Sequence, residues 1–490
     1  MLKKITDCVF NVFYYKVALM FFLIPTLLVY CVTISYKPMF FMLGWGAVIC
    51  IYDLFVRRNF VKARGMLWLI GFLGVFALAV VLNFKIDFSL NFSSWAYTLI
   101  ALFLLYPDCA IKDKETAIKE ISVINNVFIG MTTVFSTVSL GMFVCLYGER
   151  IEFGDQTYSI GWDLNRLFGV YSNTGYMITA IGLAVIAIQC FILKAKHGKI
   201  STPYKVFLIY TAIVNFFSMC MENAKGAFIS LAGFVAVLAF FVAFRKMVKK
   251  EKKAILNYIV SAICAVLSVV LLFGAIYGVR PALSYVPSLY HQIGGSYYGE
   301  EETPNPEEEE NPEEEEGLSG VNIDRDIPES YGFLTGRTII WKFGMQEFLK
   351  KPIFGHGPQS HRAYYIVDNY LRHFHNLIVH TLVSVGTVGS VFIFGFFITI
   401  FLFLLSKLLK KAKEGGESYY IAIAIFALLI MLGINSMAEV TILFIAKFAM
   451  FFFWMYLGYV QTFIGSDEKG KGTIFLESIN EKVNNIFKKK

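Results

Sequence analysis

The chain has 490 residues, 57% of them hydrophobic and only 16% charged, with a net charge of +8. A soluble globular chain is nearer half apolar and about a quarter charged, so soluble multidomain enzymes, disordered proteins and ordinary nucleic-acid binders are excluded. Apolar stretches of about 20 residues, each long enough to cross a bilayer as a helix, recur along the sequence, and the expected fold class is an all-α polytopic membrane protein with about 12 transmembrane helices.

Lys3 and Lys4 precede the first apolar run, and no small-residue cleavage site follows it, so an uncleaved first span is expected. The runs lie at approximately 17–36, 38–56, 66–84, 94–110, 121–147, 171–193, 204–222, 224–244, 255–279, 376–405, 418–437 and 440–463. With the N-terminus inside, about 30 of the 44 basic residues fall on the cytoplasmic side, among them Arg57, Arg58, Lys112, Lys194, Arg245 and Lys407. Both termini are then cytoplasmic. The organisation expected is spans 1–9 over 1–279, an extracytoplasmic loop over 280–375, spans 10–12 over 376–464 and a basic cytoplasmic tail over 465–490.

Two external segments are more than connectors, 148–170 and 280–375. Residues 300–316 carry eleven Glu and two copies of NPEEEE, a composition that cannot bury a core and reads as a disordered spacer. Residues 337–351 predict a short helix ended by Pro352, followed by a turn at Gly355-His356-Gly357-Pro358. Residues 360–374 place Ala363, Ile366, Val367, Tyr370, Leu371 and Phe374 at helical spacing, with Arg362, Asp368 and Arg372 opposite, and predict a second helix. The eight cysteines all precede residue 280, so the external loop holds no disulfide framework.

Ionisable residues at membrane boundaries are costly and point to function. The outer side collects Arg166, Glu222, Lys225, Arg337, His373, His375, Asn376, Glu439 and Lys447; the last two are expected on one face of span 12. Arginine suits a diphosphate because its planar fork donates two hydrogen bonds and keeps its charge; an interfacial anchor is the alternative for each. Five of the seven histidines fall between 356 and 380, and one of them is a candidate general base. His373-x-His375 is half of a metal-site pattern, but helical phase separates residues two apart and no local carboxylate cluster completes it, so no metal is expected. Tyr158, Trp162, Tyr364 and Tyr365 are candidate sugar-stacking rings or belt residues. No Walker loop, dinucleotide fingerprint or Gly-x-Ser-x-Gly elbow is present, and an external site is out of reach of cytosolic nucleotide sugars.

His375-Asn376, nine residues, Gly386, two residues and Gly389 resembles a signature of the O-antigen ligase/polymerase family. Gly336-Arg337-Thr338-x-x-Trp341 followed by Pro352-x-x-Gly355-x-Gly357 is similar to that family's external-loop signature. Arg166-x-x-Gly169-x-x-Ser172-Asn173 is similar to its arginine-bearing entrance to a middle span. Asn223-Ala224-Lys225-Gly226-Ala227 resembles its Ser-Arg-Gly turn, with Lys225 where the family has Arg. The order of spans, with the large loop between spans 9 and 10, agrees too.

The resemblance implies a GT-C-like membrane glycosyltransferase, metal-independent, inverting and without cofactor. It would act at the outer face of the bacterial cytoplasmic membrane on a glycan carried by undecaprenyl pyrophosphate. By the same resemblance Arg166 and Arg337 bind the pyrophosphate leaving group and His375 takes the proton of the attacking hydroxyl. Lys225, Asn376, Arg372 and Glu439 are candidate substrate-binding residues. The leading expectation is a Wzy-type polymerase extending a lipid-linked repeat unit of capsule, exopolysaccharide or O-antigen. A ligase moving finished glycan to a lipid, wall or protein acceptor is the second, and a transporter or flippase is the reading from another class. Expected partners are lipid-linked donor and acceptor, the bilayer, and a flippase and chain-length regulator; no nucleic acid is expected.

Overall fold

The computed structural model describes residues 8–31, 36–153, 156–171, 176–196, 200–250, 254–297, 320–323, 337–360, 365–366, 369–370 and 373–464. The Glu-rich stretch 300–316, the tail 465–490 and Arg372, together with His361, Arg362, Asp368, Ser172 and Asn173, lie outside them.

Among the described residues, nine helices are long and apolar enough to cross a membrane and three more are apolar but shorter. The order is α1 Val12–Leu23, α2 Tyr36–Tyr52, α3 Met66–Leu82, α4 Phe88–Ile100, α5 Tyr106–Ala110, α6 Lys114–Val144, α7 Tyr176–Ala195, α8 Thr202–Glu222, α9 Lys225–Lys249, α10 Ala254–Ser284, α11 Val286–Gln292, α12 Arg337–Lys350, α13 Leu377–Glu414, α14 Glu417–Ser436 and α15 Phe448–Ile464. A π-turn over Ala101–Leu105 joins α4 to α5 as one span. Each of the twelve expected runs overlaps one of these apolar helices, the form in which a chain in lipid satisfies its own backbone polar groups. The protein is an all-α polytopic membrane protein.

Burial sorts the helices. Nearly every side chain of α15 is covered, with Trp454, Tyr456 and Tyr459 fully buried, so it runs through the middle of the bundle. On α10, Ile255, Ile263, Val266, Val270 and Leu271 are exposed. An apolar face of that extent is a liability in water but matches lipid tails. Polar seams join the helices: Asn125 Nδ2 donates to Gln189 Oε1 at 3.1 Å and Ser136 Oγ to Asn215 Oδ1 at 2.9 Å. In the first half of α1, Lys16 is fully buried and donates to Asp108 at 2.6 Å, Glu120 at 2.8 Å and Tyr459 at 3.1 Å, and Lys112 closes the set on both acids at 3.2 Å. Two cations against two anions leave no net charge in this cluster.

The segment after α6 is a meander of β1 Gly148–Phe153, β2 Gln156–Asp163 and β3 Arg166–Gly169, paired antiparallel in the order β1-β2-β3. Leu164 and Asn165 form the two-residue β2–β3 turn with φ of 51° and 55°, the left-handed pair that matches strand twist. That turn pairs Asp163 with Arg166 and sets Arg166 at the start of β3.

The expected helix over 360–374 is not found. Its described part is a small hairpin, β4 Tyr365–Ile366 paired with β5 Asn369–Tyr370, and His373 to Asn376 are non-helical. The apolar spacing there is also compatible with a hairpin. Glu439 and Lys447 are not on a helix face either: α15 starts only at Phe448, and 437–447 is irregular chain.

The loop after α12 is built into α13. Gly386 breaks that helix with φ 64° and ψ −170°, a conformation essentially confined to glycine. The break orphans carbonyls before it and N–H groups after it. The Pro352–Gly357 turn satisfies both sets. The N–H groups of Thr387 and Val388 donate to Pro352 and Ile353, at 2.7 and 3.3 Å. Those of His356 and Gly357 donate to Val383 and Ser384, at 2.8 and 2.9 Å. The end of α12 is thereby locked to α13, which fixes Arg337 relative to the start of α13.

Gly386→Ala is expected to lower stability by about 1–3 kcal/mol, since its Cβ would sit 2.2 Å from the Ile353 carbonyl oxygen. Gly274→Ala, with nothing within 4 Å, is expected to leave stability unchanged or raised. Thermal unfolding of the purified protein in detergent checks both; equal melting of the two variants would refute the interlock.

Candidate functional site

Three segments distant in sequence meet at one end of the bundle. Arg337 is the first residue of α12, His373 and His375 lie just before α13, and Glu439 follows α14. Arg337 Nη2 donates to Glu439 Oε1 at 3.1 Å, and His375 Nδ1 approaches the same oxygen at 3.0 Å. His373 Nε2 is 3.2 Å from the other oxygen, Oε2. The Glu439 side chain is 11% exposed, whereas Arg337 at 26% and His375 at 30% still reach the surface of the site.

Local structure holds each group. Asn376 caps α13: its Oδ1 accepts from the N–H groups of Ile378 and Val379, at 2.9 and 3.1 Å, and its Nδ2 donates to the Met437 carbonyl at 3.0 Å. One amide therefore starts the helix that follows His375 and ties it to the segment carrying Glu439. Glu439 N–H donates to the Asn435 carbonyl at 2.9 Å, extending the end of α14. His375 has φ 49°, a left-handed conformation costly for a residue with a Cβ and typical of functional positions. Its N–H donates to His373 Nδ1 at 3.2 Å, and the two rings lie 4.1 Å apart.

This corrects the expectation that His373 and His375 face apart with no carboxylate nearby. The segment is not helical, so alternate residues converge, and the carboxylate comes from 64 residues further on. His373, His375 and Glu439 present three ligand atoms within 4.8 Å of one another.

Burial alone would raise the Glu439 carboxyl, but the hydrogen bond from His375 and the neighbouring positive charges, Lys447 included, hold it below the ordinary carboxylate range. It is therefore an anion at any physiological pH. His373 is pushed well below the usual histidine value, chiefly by burial.

The remaining expected residues lie on adjoining helix ends. Asn223 ends α8 with φ 48°, so Lys225 opens α9. The adjacent Gly226 faces Asn435, its Cβ direction 4.0 Å from Asn435 Oδ1, one turn before Glu439. Arg166 interacts electrostatically with Glu222, whose Oε2 accepts from Thr179 at 3.0 Å. The guanidinium of Arg166 also lies over the Phe168 ring at 4.6 Å. Arg337, His375 and Glu439 are thus in direct contact, while Arg166 lies by Glu222 at the end of α8 and Lys225 opens α9. Tyr158 and Trp162 pack inward instead of lining a sugar site: Tyr158 is buried with Val29 and Ile160, and Trp162 lies 4.9 Å from Phe143.

Sequence reasoning passed over Arg280, near the outer end of α10. It is buried, donates to the Ile323 carbonyl at 2.8 Å and keeps an unpartnered buried Nε. A lone arginine four residues from the end of a long apolar helix was the available signal.

The depressed Glu439 value has a definite sign. Its contribution to stability is present in full above the ordinary value of 4.5 and is lost as pH falls from there through the depressed folded value. Glu439→Gln is therefore expected to melt lower than the parent protein at pH 7, with the difference shrinking below about pH 4.5. Melting curves across that range check it; a gap independent of pH would contradict the ionised carboxylate.

Residues 210–394 match the family model described as O-antigen ligase. The matched stretch contains Glu222, Lys225, Arg337, His375 and Asn376 and stops short of Arg166 on one side and Glu439 on the other. No curated protein matches the chain.

Proposed function

We propose that this member of the O-antigen ligase/polymerase family, a membrane-embedded glycosyltransferase-like enzyme, is a polysaccharide polymerase. It transfers glycan from undecaprenyl pyrophosphate to a lipid-linked repeat unit at the outer face of the cytoplasmic membrane. The observation that carries this reading is the shared carboxylate: Glu439 binds both the Arg337 guanidinium and His375 Nδ1.

Because Glu439 is an anion, it accepts from Nδ1–H of His375. The lone pair of a neutral His375 then lies on Nε2. That atom takes the proton of the acceptor hydroxyl as its oxygen attacks the anomeric carbon. The bond from that carbon to the diphosphate oxygen breaks, and the configuration inverts. The departing diphosphate gains negative charge, which cations already in place stabilise more than they stabilise the ground state. Arg337 is one such cation, and Arg166 and Lys225 are proposed as the others. Lys225 also opens a helix, and the N-terminal dipole of α9 adds to its charge. Asn376 acts as a positioning residue, because its amide holds the backbone on both sides of the dyad.

The ligase reading draws on the description of the matched family, and it differs only in the acceptor. Both readings are tested with purified protein in liposomes, undecaprenyl-pyrophosphate oligosaccharide as donor, and either the same molecule or a lipid or peptide acceptor. A ladder of lengthening glycan supports the polymerase; single transfer only to the foreign acceptor replaces it with the ligase. His375→Ala is expected to lower the rate about 10²–10⁴-fold, the worth of a positioned base. Arg337→Ala is expected to lower it about 10²–10³-fold. Parental ladders from both variants would remove the mechanism.

Deleting 300–316 is expected to leave at least half of the parental rate, because the stretch is read as a solvated spacer. Loss of polymer with normal membrane insertion would give it a role in the reaction.

A further inference from the structure

We infer that His373, His375 and Glu439 form a binding site for a divalent transition ion of the zinc type, and that an ion bound there blocks glycan transfer. The binding part stands on geometry alone; the blocking part rests on the catalytic reading of His375.

Two imidazoles and a carboxylate are a recognised zinc donor set that leaves a position open. Donors about 2.0–2.1 Å from a tetrahedral ion stand roughly 3.3 Å from one another. Here the histidine–carboxylate separations are 3.2 and 3.0 Å, one to each oxygen, and all three donors fall within 4.8 Å. Only the imidazole pair has to close. Both rings lie in one non-helical segment, with Nε2 of His373 and Nδ1 of His375 facing the carboxylate; coordination through Nε2 moves the His373 proton to Nδ1 and releases the bond that Nδ1 accepts from the His375 N–H.

Arg337 opposes the ion, since it holds Glu439 Oε1 at 3.1 Å. Metal and guanidinium thus compete for one oxygen. Coordination also requires the Nδ1 lone pair of His375. The ring proton then resides on Nε2, which becomes a donor with no lone pair for the acceptor hydroxyl. A bound ion accordingly removes the base and loosens Arg337 in one step, so zinc is an inhibitor of this site and chelation leaves the enzyme active.

The test uses the full-length protein in detergent micelles at pH 7, with zinc chloride titrated calorimetrically and magnesium chloride as control. One equivalent of zinc is expected to bind the wild type. His373→Ala is expected to bind at least about tenfold more weakly, since loss of even an outer partner of a metal ligand costs that much. Arg337→Ala, freed of the competing cation, is expected to bind more tightly, a gain that misfolding does not produce. Absence of saturable zinc binding, equal affinity in His373→Ala, or weaker affinity in Arg337→Ala overturns the site. In the liposome assay, zinc is expected to suppress the ladder and a chelator to restore it. Zinc that leaves transfer unchanged or stimulates it overturns the blocking step. A protein that makes no glycosidic bond under any condition ends the catalytic reading but not the calorimetric result.

Discussion

One carboxylate organises one end of this protein. Glu439 is nearly covered, and a buried anion persists only when it is paired and hydrogen-bonded. It collects Arg337 from the loop helix and His373 and His375 from the entry to α13. Removing it would leave a guanidinium and two imidazoles crowded together without their shared counter-charge. The same pairing keeps the carboxyl ionised and fixes which nitrogen of His375 faces away from it. Geometry, charge state and tautomer at the site are therefore one constraint.

That constraint works only if the three segments are held in register, and the bilayer makes register expensive to lose. Inside lipid an unsatisfied backbone group has no water to turn to. A break in α13 is tolerated because the Pro352–Gly357 turn returns every hydrogen bond the break removes. The loop is thereby part of the helix. Side-chain amides extend the same logic: Asn83 donates to the Gly355 carbonyl and accepts from Lys351, and Asn91 accepts from the Gln359 N–H. The turn that positions α12 is thus tied to α3 and α4 as well as α13.

The far end of the bundle solves a different problem. Lys16, Asp108, Glu120 and Lys112 form a closed, charge-balanced set around Tyr459. Each charge there has at least two partners, which is the condition under which buried ions are retained. The set links α1, α5, α6 and α15, so the central helix is pinned at one end by charge and at the other by the packing that supports Glu439. The outer cations differ in kind, because Arg337 and His375 stay partly exposed where a substrate can reach them.

The sequence by itself determined the membrane class, the approximate positions of the apolar helices and a family resemblance, because hydropathy over about 20 residues and short motifs are local properties. It also marked Arg337, His375 and Glu439 as boundary residues, since ionisable groups stand out in an apolar chain. It did not reveal that they touch, and it misread 360–374 and 437–447 as helical, where apolar spacing was compatible with a hairpin and with irregular chain. Helical phase sent His373 and His375 to different faces; the left-handed turn at His375 brings them to one. Only the tertiary structure decided that contact, because it depends on a loop replacing the hydrogen bonds of a broken helix and on a carboxylate 64 residues away. Long-range pairing of that kind leaves no periodicity in the chain to read.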